Sequence, residues 1–263
     1  MSAALHLVRC RLNTQRLYAF ARRSRAANVR EFDTGYAVHA LFAALFDHGA
    51  PADARVAPKP FHIAEAGGHT LDVLGYAHMG HSELEDRATT FGDPSAWGVC
   101  DLAELASKPM PSAFEPGTRL GFSVRACPVQ RIAKRGPMDR DRAEVDAFLA
   151  RSWEVGANVP LTRHEVYRAW LEDDLGKEGA ARILDAAVTS FRLGRLHRRT
   201  QGAERRGHLT ARPDVTFEGT LEVASADAFM HRLARGVGRH RAFGFGMLLL
   251  KPAQPVVTRD HGT

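Results

Sequence analysis

Tyr36 and His39 stand one helical turn apart in DTGYAVHALFAALF, a spacing that brings both side chains to the same side of a helix. Wound at about 100° per residue, Val38, Leu41, Phe42 and Leu45 gather on the face that must be buried. The His–Tyr pair falls well off the centre of that face, which weakens the reading of His39 as a satisfied core histidine. An idle surface histidine stays open, since the chain has 13. Histidine titrates near neutral pH, so it can take a proton from a ribose 2′-hydroxyl or give one to a leaving 5′-oxygen. Tyrosine can orient the scissile group, and no metal ion is needed when the nucleophile is already part of the substrate. Charge building on the phosphorane calls for cations. The candidates are Arg22, Arg23 and Arg25 in ARRSRAANVR, with Arg239 and Arg241 further on.

Arg239 and Arg241 lie in GVGRHRAFGFGMLLL (236–250), a glycine loop carrying positive charge. A dinucleotide fingerprint GxGxxG needs glycine where this chain has Arg241, and it follows a strand and opens a helix. Here a helix precedes and a strand follows. Gly236 fits a helix C-cap in a left-handed conformation. That leaves Gly238, Gly244 and Gly246 to be explained, with Arg239, His240 and Arg241 between them. Glycine lets a backbone approach another backbone, and donors on such a loop can contact phosphate oxygens. The expected ligand carries phosphate.

Charge elsewhere agrees. The formal net charge is +6, and Arg192, Arg195, Arg198, Arg199, Arg205, Arg206 and Arg212 fall within 21 residues opposed only by Glu204. Such density favours a polyanion, because neutralised phosphates release counterions. A solvated helix face is the bland alternative, but such faces usually mix both signs. Cys10, Cys100 and Cys127 are far apart without a CxxC pair, which argues against disulfides and a thiolate zinc site. His78 and His81 in HMGH lack further ligands, so no metal and no cofactor are assigned. Charge in the first residues, and no apolar run of about 20 residues, point to a cytoplasmic chain without a membrane partner.

These residues need elements to hold them. Residues 5–12 alternate as a strand, and DTGYAVHALFAALFDHG reads as a helix capped by Asp33 or Thr34 and ending at Gly49. Residues 61–76 look like a hairpin turning at EAGGH, and 102–111 like a short helix broken at Pro109. PSAFEPG (111–117) reads as a linker. A strand over 119–132 opens the second half. Helices are then expected at 139–152, 162–175 and 177–193, a strand at 215–223, a helix at 225–236 and a strand in FGMLLLKP. Two α+β halves side by side follow, the first over residues 1–112 and the second over 113–263.

Three ordered segments resemble one family. DTGYAVHALFAALF, GTRLGFSVRACPV and TFEGTLEV…RGVGRHRAFGFGMLLL are similar to the CRISPR repeat-processing endoribonucleases of the CasE type, within the RAMP superfamily. The resemblance implies an α+β fold of two tandem ferredoxin-like (RRM-like) βαββαβ domains; the helical, arginine-rich insertion read at about 139–205 of the second is a departure from the commonest relatives. It implies metal-independent cleavage of precursor CRISPR RNA at a repeat hairpin, leaving 2′,3′-cyclic phosphate and 5′-hydroxyl ends. The implied partners are the repeat hairpin, kept as crRNA, and other subunits of a CRISPR effector complex. His39 matches the catalytic histidine and Tyr36 the tyrosine one turn earlier, while Gly236, Gly238, Gly244 and Gly246 match the glycine-rich loop. The arginine-rich segment also resembles the type IV CRISPR branch, where catalysis could rest on arginines such as Arg23 and Arg241. A non-catalytic RNA-binding subunit, or an RNA-binding protein outside CRISPR systems, are the readings that compete.

Overall fold

The computed structural model describes residues 4–24, 32–51, 56–65, 68–132, 143–156, 158–199 and 207–253. Strand β1 (His6–Asn13) alternates as its sequence demands, burying Val8, Cys10 and Leu12 on one face. Helix α1 (Thr14–Arg23) starts directly after it, because the Asn13 side chain accepts the Arg16 N–H at 2.9 Å. Helix α2 (Thr34–Phe42) is capped by Asp33, whose carboxylate accepts the Tyr36 N–H at 3.0 Å, and runs on through a wider turn at Ala43–Asp47. The hairpin β2 (Phe61–Glu65) and β3 (Thr70–Ala77), helix α3 (His81–Phe91) and strand β4 (Ala106–Pro109) complete the half. Its antiparallel sheet runs β2-β3-β1-β4. Leu17, Phe20, Val38, Leu41, Phe42, Leu84 and Ala88 pack the helices into one core over that sheet.

The expected helix over 102–111 is instead one turn at Leu102–Glu104 followed by β4. Its residues pair with β1, His6 opposite Pro109, and a sheet edge accepts the proline that a helix interior rejects.

The second half repeats the plan. Strand β5 (Arg119–Ala126) leads to a small hairpin, β6 (Val129–Ile132) with β7 (Ala143–Asp146), then helices α4 (Ala147–Val155) and α5 (Arg163–Gly176). Two long strands follow, β8 (Ala181–Arg199) and β9 (Gly207–Val223), then helix α6 (Ala226–Arg235) and strand β10 (Leu248–Pro252). The sheet runs β10-β5-β9-β8. Both sheets therefore carry the order of a βαββαβ unit, fourth strand beside first, then third, then second: two ferredoxin-like units in tandem.

This corrects the expected helix over 177–193, which is β8, and the expected helix at 139–152, whose described part is β7 followed by α4. The segment read as a helical insertion supplies the first helices and the second strand of the unit itself. Two register shifts, between Ile183 and Asp185 and between Val188 and Ser190, break the period of two that would have marked a strand. Beyond β5, which pairs only with residues 215–222 of β9, the hairpin continues as a two-stranded arm of residues 192–199 paired with 207–214. Arg192, Arg195, Arg198, Arg199 and Arg212 of the arginine-rich segment lie on this arm.

The halves share a core. Leu5, Leu7, Leu74 and Tyr76 of the first half pack into the cluster built from β5, β9, α5 and α6. The Tyr76 hydroxyl donates to the Leu248 carbonyl at 2.9 Å. No helix among the described residues is long and apolar enough to cross a membrane.

Candidate RNA-processing site

Tyr36 and His39 are both half-buried on α2, with rings in edge contact at 6.3 Å between centroids. The glycine loop comes to them. A single turn at Arg241–Phe243 puts the Phe243 ring parallel to Tyr36, 5.9 Å away, and edge-on to His39 at 4.8 Å. Gly35 makes room for this approach: a Cβ there would lie 2.2 Å from the Phe243 carbonyl oxygen.

The four glycines have φ of +81° (Gly236), +66° (Gly238), +83° (Gly244) and +76° (Gly246). Gly236 has ψ of 171°, so it leaves α6 in the extended, glycine-only region rather than the left-handed cap expected from sequence. The Gly238 N–H donates to the Asp174 carboxylate at 2.8 Å, and the Gly246 carbonyl accepts the Val237 N–H at 2.8 Å. The close approaches at Gly236, Gly238 and Gly246 are thus to the chain's own atoms, which shape the loop, and not to open space kept for a ligand backbone.

Arg239 and His240 both bond Glu144 of β7, His240 through Nε2 at 3.0 Å. Arg212 of the arm reaches the same carboxylate at 3.7 Å. The His240 hydrogen bond, aided by Arg239 and opposed by burial, holds the Glu144 carboxyl down at about 2. Arg241 donates to the Arg235 carbonyl at 2.9 Å. With Lys59, Arg235, Arg239 and His240, it lines a basic cleft of about 440 Å³ that reaches Phe243.

Phe243 also borders a second cleft, of about 850 Å³, between α2 and the base of the arm. Arg192 and Arg195 line it, together with Arg125 of β5. Asp214 of β9 takes Arg125 on both carboxylate oxygens at 2.7 Å and Arg192 on one at 2.7 Å. Arg125 lies 4.5 Å over the Phe245 ring. Burial pushes the Asp214 carboxyl up, but the two arginines, Arg125 foremost, outweigh it and hold it below the ordinary range.

Arg192 and Arg195 thus line the larger cleft and Arg239, His240 and Arg241 the smaller one, while Tyr36 and His39 line neither and meet them only through the Phe243 ring, and the four glycines shape the loop without lining either. Arg22 and Arg23 are exposed at the end of α1, with Arg22 over the Tyr18 ring at 5.9 Å and neither lining these clefts. The backbones of Arg198 and Arg199 pair with His208 and Gly207 in the arm. Arg25, Arg205 and Arg206 lie outside the described residues. Sequence reasoning passed over Phe243, Arg125, Asp214 and Glu144. Phe243 had a signal, an aromatic inside a glycine loop; Glu144 and the Arg125 side of Asp214 had none, because those partners lie 95 and 89 residues away.

Residues 5–252 match the family described as CRISPR associated protein. The chain belongs to that family. Among its relatives, CRISPR-associated endoribonuclease Cse3 of Thermus thermophilus is 33% identical over 164 residues, 59% of this chain and 68% of that protein. The CRISPR system Cascade subunit CasE of Escherichia coli (strain K12) is 27% identical over 148 residues, 56% of this chain and 65% of that protein. The solved structure of CRISPR endoribonuclease Cse3 bound to 19 nt RNA superposes with a TM-score of 0.63 at 24% identity, covering 95% of this chain and 100% of the other. Cas6e from Escherichia coli str. K-12 gives 0.52 at 21% identity, over 94% and 100%. Those two likenesses establish the fold for this member of the CRISPR associated protein family; its chemistry rests on the site.

Proposed function

We propose that this protein is an endoribonuclease that cuts precursor CRISPR RNA at the repeat hairpin and stays bound to the product. The observation that carries this reading is the seating of Phe243, from the basic glycine loop, on the Tyr36–His39 pair. It ties the histidine to a ring that borders a cleft lined by Arg241, Arg239 and Lys59. The ribose 2′-hydroxyl attacks the adjacent phosphorus, the 5′-oxygen leaves, and the ends are a 2′,3′-cyclic phosphate and a 5′-hydroxyl. His39 moves the proton, Tyr36 orients the scissile group, and Arg241 meets the charge that builds on phosphorus. The arm, which carries Arg192, Arg195, Arg198 and Arg199, meets the phosphates of the hairpin, since A-form RNA is gripped through shape and backbone.

The two units, 1–112 and 113–263, form one RNA-binding body, and the relative named as a Cascade subunit supports assembly with other CRISPR effector subunits. Three buried free thiols, Cys10, Cys100 and Cys127, suit the reducing cytoplasm.

The test is a labelled repeat hairpin incubated with the protein in EDTA. Cleavage is expected, slowed on the order of 10²-fold by His39→Ala. Intact RNA at micromolar protein overturns the nuclease reading and leaves an RNA-binding subunit. An unchanged rate in His39→Ala moves the chemistry to the arginines, Arg241 of the loop first, since Arg23 lines neither cleft.

A further inference from the structure

Tyr18 of α1 and Phe32, just before the Asp33 cap of α2, are large aromatic side chains left 44% and 37% exposed. A single exposed aromatic needs no explanation. These two touch each other, with centroids 5.3 Å apart and planes at 56°, and Arg22 lies 5.9 Å over the Tyr18 ring. Phe32 also borders the 850 Å³ cleft, so the pair forms a step leading to its mouth. The charged groups lining that cleft are Arg125, Arg192 and Arg195 against Asp33 and Asp214. Asp33 is spent on the cap of α2, and Asp214 is held between two arginines.

Exposed aromatic faces beside arginines suit one class of ligand. Unpaired nucleotides present bases that stack on aromatic rings and guanidinium planes, and phosphates that pair with arginine. A paired stem keeps its bases inside and offers phosphates alone. We infer that Tyr18 and Phe32, with Arg22, form a stacking platform for unpaired nucleotides flanking the RNA hairpin, and that their phosphates enter the cleft at Arg192 and Arg195. This rests on the reading of the chain as an enzyme of hairpin RNA. It adds a second contact, which discriminates single-stranded from paired RNA.

Two RNAs decide it by fluorescence anisotropy: the repeat hairpin trimmed to its stem and loop, and the same hairpin with unpaired flanks. Wild-type protein is expected to bind the flanked RNA about tenfold more tightly, the scale of one stacked base. Tyr18→Leu combined with Phe32→Leu keeps apolar bulk without a π face. It should bind both RNAs alike while retaining wild-type affinity for the trimmed hairpin and a wild-type melting curve. Tyr18→Phe should keep the preference. At higher salt the gap between wild type and the double leucine variant should narrow by the phosphate share but not close, because stacking itself releases no counterions. Equal wild-type affinity for the two RNAs, or a double variant that keeps the preference, overturns the platform. Failure of the wild type to bind the trimmed hairpin would instead remove the enzyme reading beneath it.

Discussion

Phe243 presents its ring edge-on to His39, centroids 4.8 Å apart and planes at 68°. The contact ties a loop of the second half to a helix of the first, and its other face lies parallel to Tyr36 within 5°. The imidazole is thereby positioned by a residue more than 200 places away in the chain.

Phe243→Ala should therefore slow chemistry more than it weakens binding. Misplacing a proton carrier by about 1 Å can cost up to 10²-fold, so a fall of about tenfold or more in single-turnover cleavage is expected, with a nearly unchanged Kd for hairpin RNA. A variant with the normal single-turnover rate but weaker binding would make Phe243 a ligand contact and not a positioning residue.

The glycines separate strain from collision. Gly68, with φ of +62°, has open space where a Cβ would go, so Gly68→Ala should cost only the backbone strain of about 1 kcal/mol. At Gly246, with φ of +76°, a Cβ would lie 2.2 Å from the Val237 carbonyl oxygen. Backbone cannot step aside as a flexible side chain can. Gly246→Ala should cost about 3 kcal/mol or more and unseat the loop, lowering cleavage as well. Urea melts of the two variants give the ranking, and equal losses would contradict it.

In the first half the sequence carried β1, α2 and the hairpin, and missed helices α1 and α3 and strand β4. Asp33, the Tyr36–His39 spacing and the hairpin at 61–76 are local signals, and each structure formed where the residues asked for it. The second half was legible at its ends and misread in its middle. ARILDAAVTSF has helix-forming composition, and two bulges in β8 hide its alternation; only pairing with β9 along its whole length makes it a strand. The histidine–loop encounter was foreseeable from chemistry, since both were candidate parts of one RNA site. The carboxylates that hold the loop and the arm were not, because Glu144 meets Arg239, and Asp214 meets Arg125, only after the sheet has closed.

Asp214 is the hinge of the larger cleft. Its carboxylate is buried against Arg125, 24% exposed, and Arg192, 69% exposed. Asp214→Ala strips a buried charge pair and leaves Arg125 without its partner, which should destabilise the fold by about 3 kcal/mol. Arg192→Ala, acting on a solvent-facing partner, should cost under about 1 kcal/mol. Chemical denaturation with unchanged slopes measures both, and a costlier Arg192→Ala would show that the arm arginine and not Arg125 anchors the pair.

Glu144 gives the loop its pH dependence. Its carboxyl sits at about 2 when folded against a usual 4.5, chiefly through the His240 hydrogen bond, then Arg239. Folded protein therefore binds fewer protons there than unfolded chain, so the contribution is complete above about 4.5 and is lost as the pH falls toward 2. The stability gap between wild type and Glu144→Gln, read as urea midpoints, should be full at neutral pH and close progressively through that window. The same titration should free the loop, so fluorescence from a tryptophan placed at the partly exposed loop residue Arg239 (Arg239→Trp) would shift over a higher range, because removing that arginine raises the carboxyl. A gap between wild type and Glu144→Gln that stays constant down to pH 2 would show that the carboxylate charge does not hold the loop.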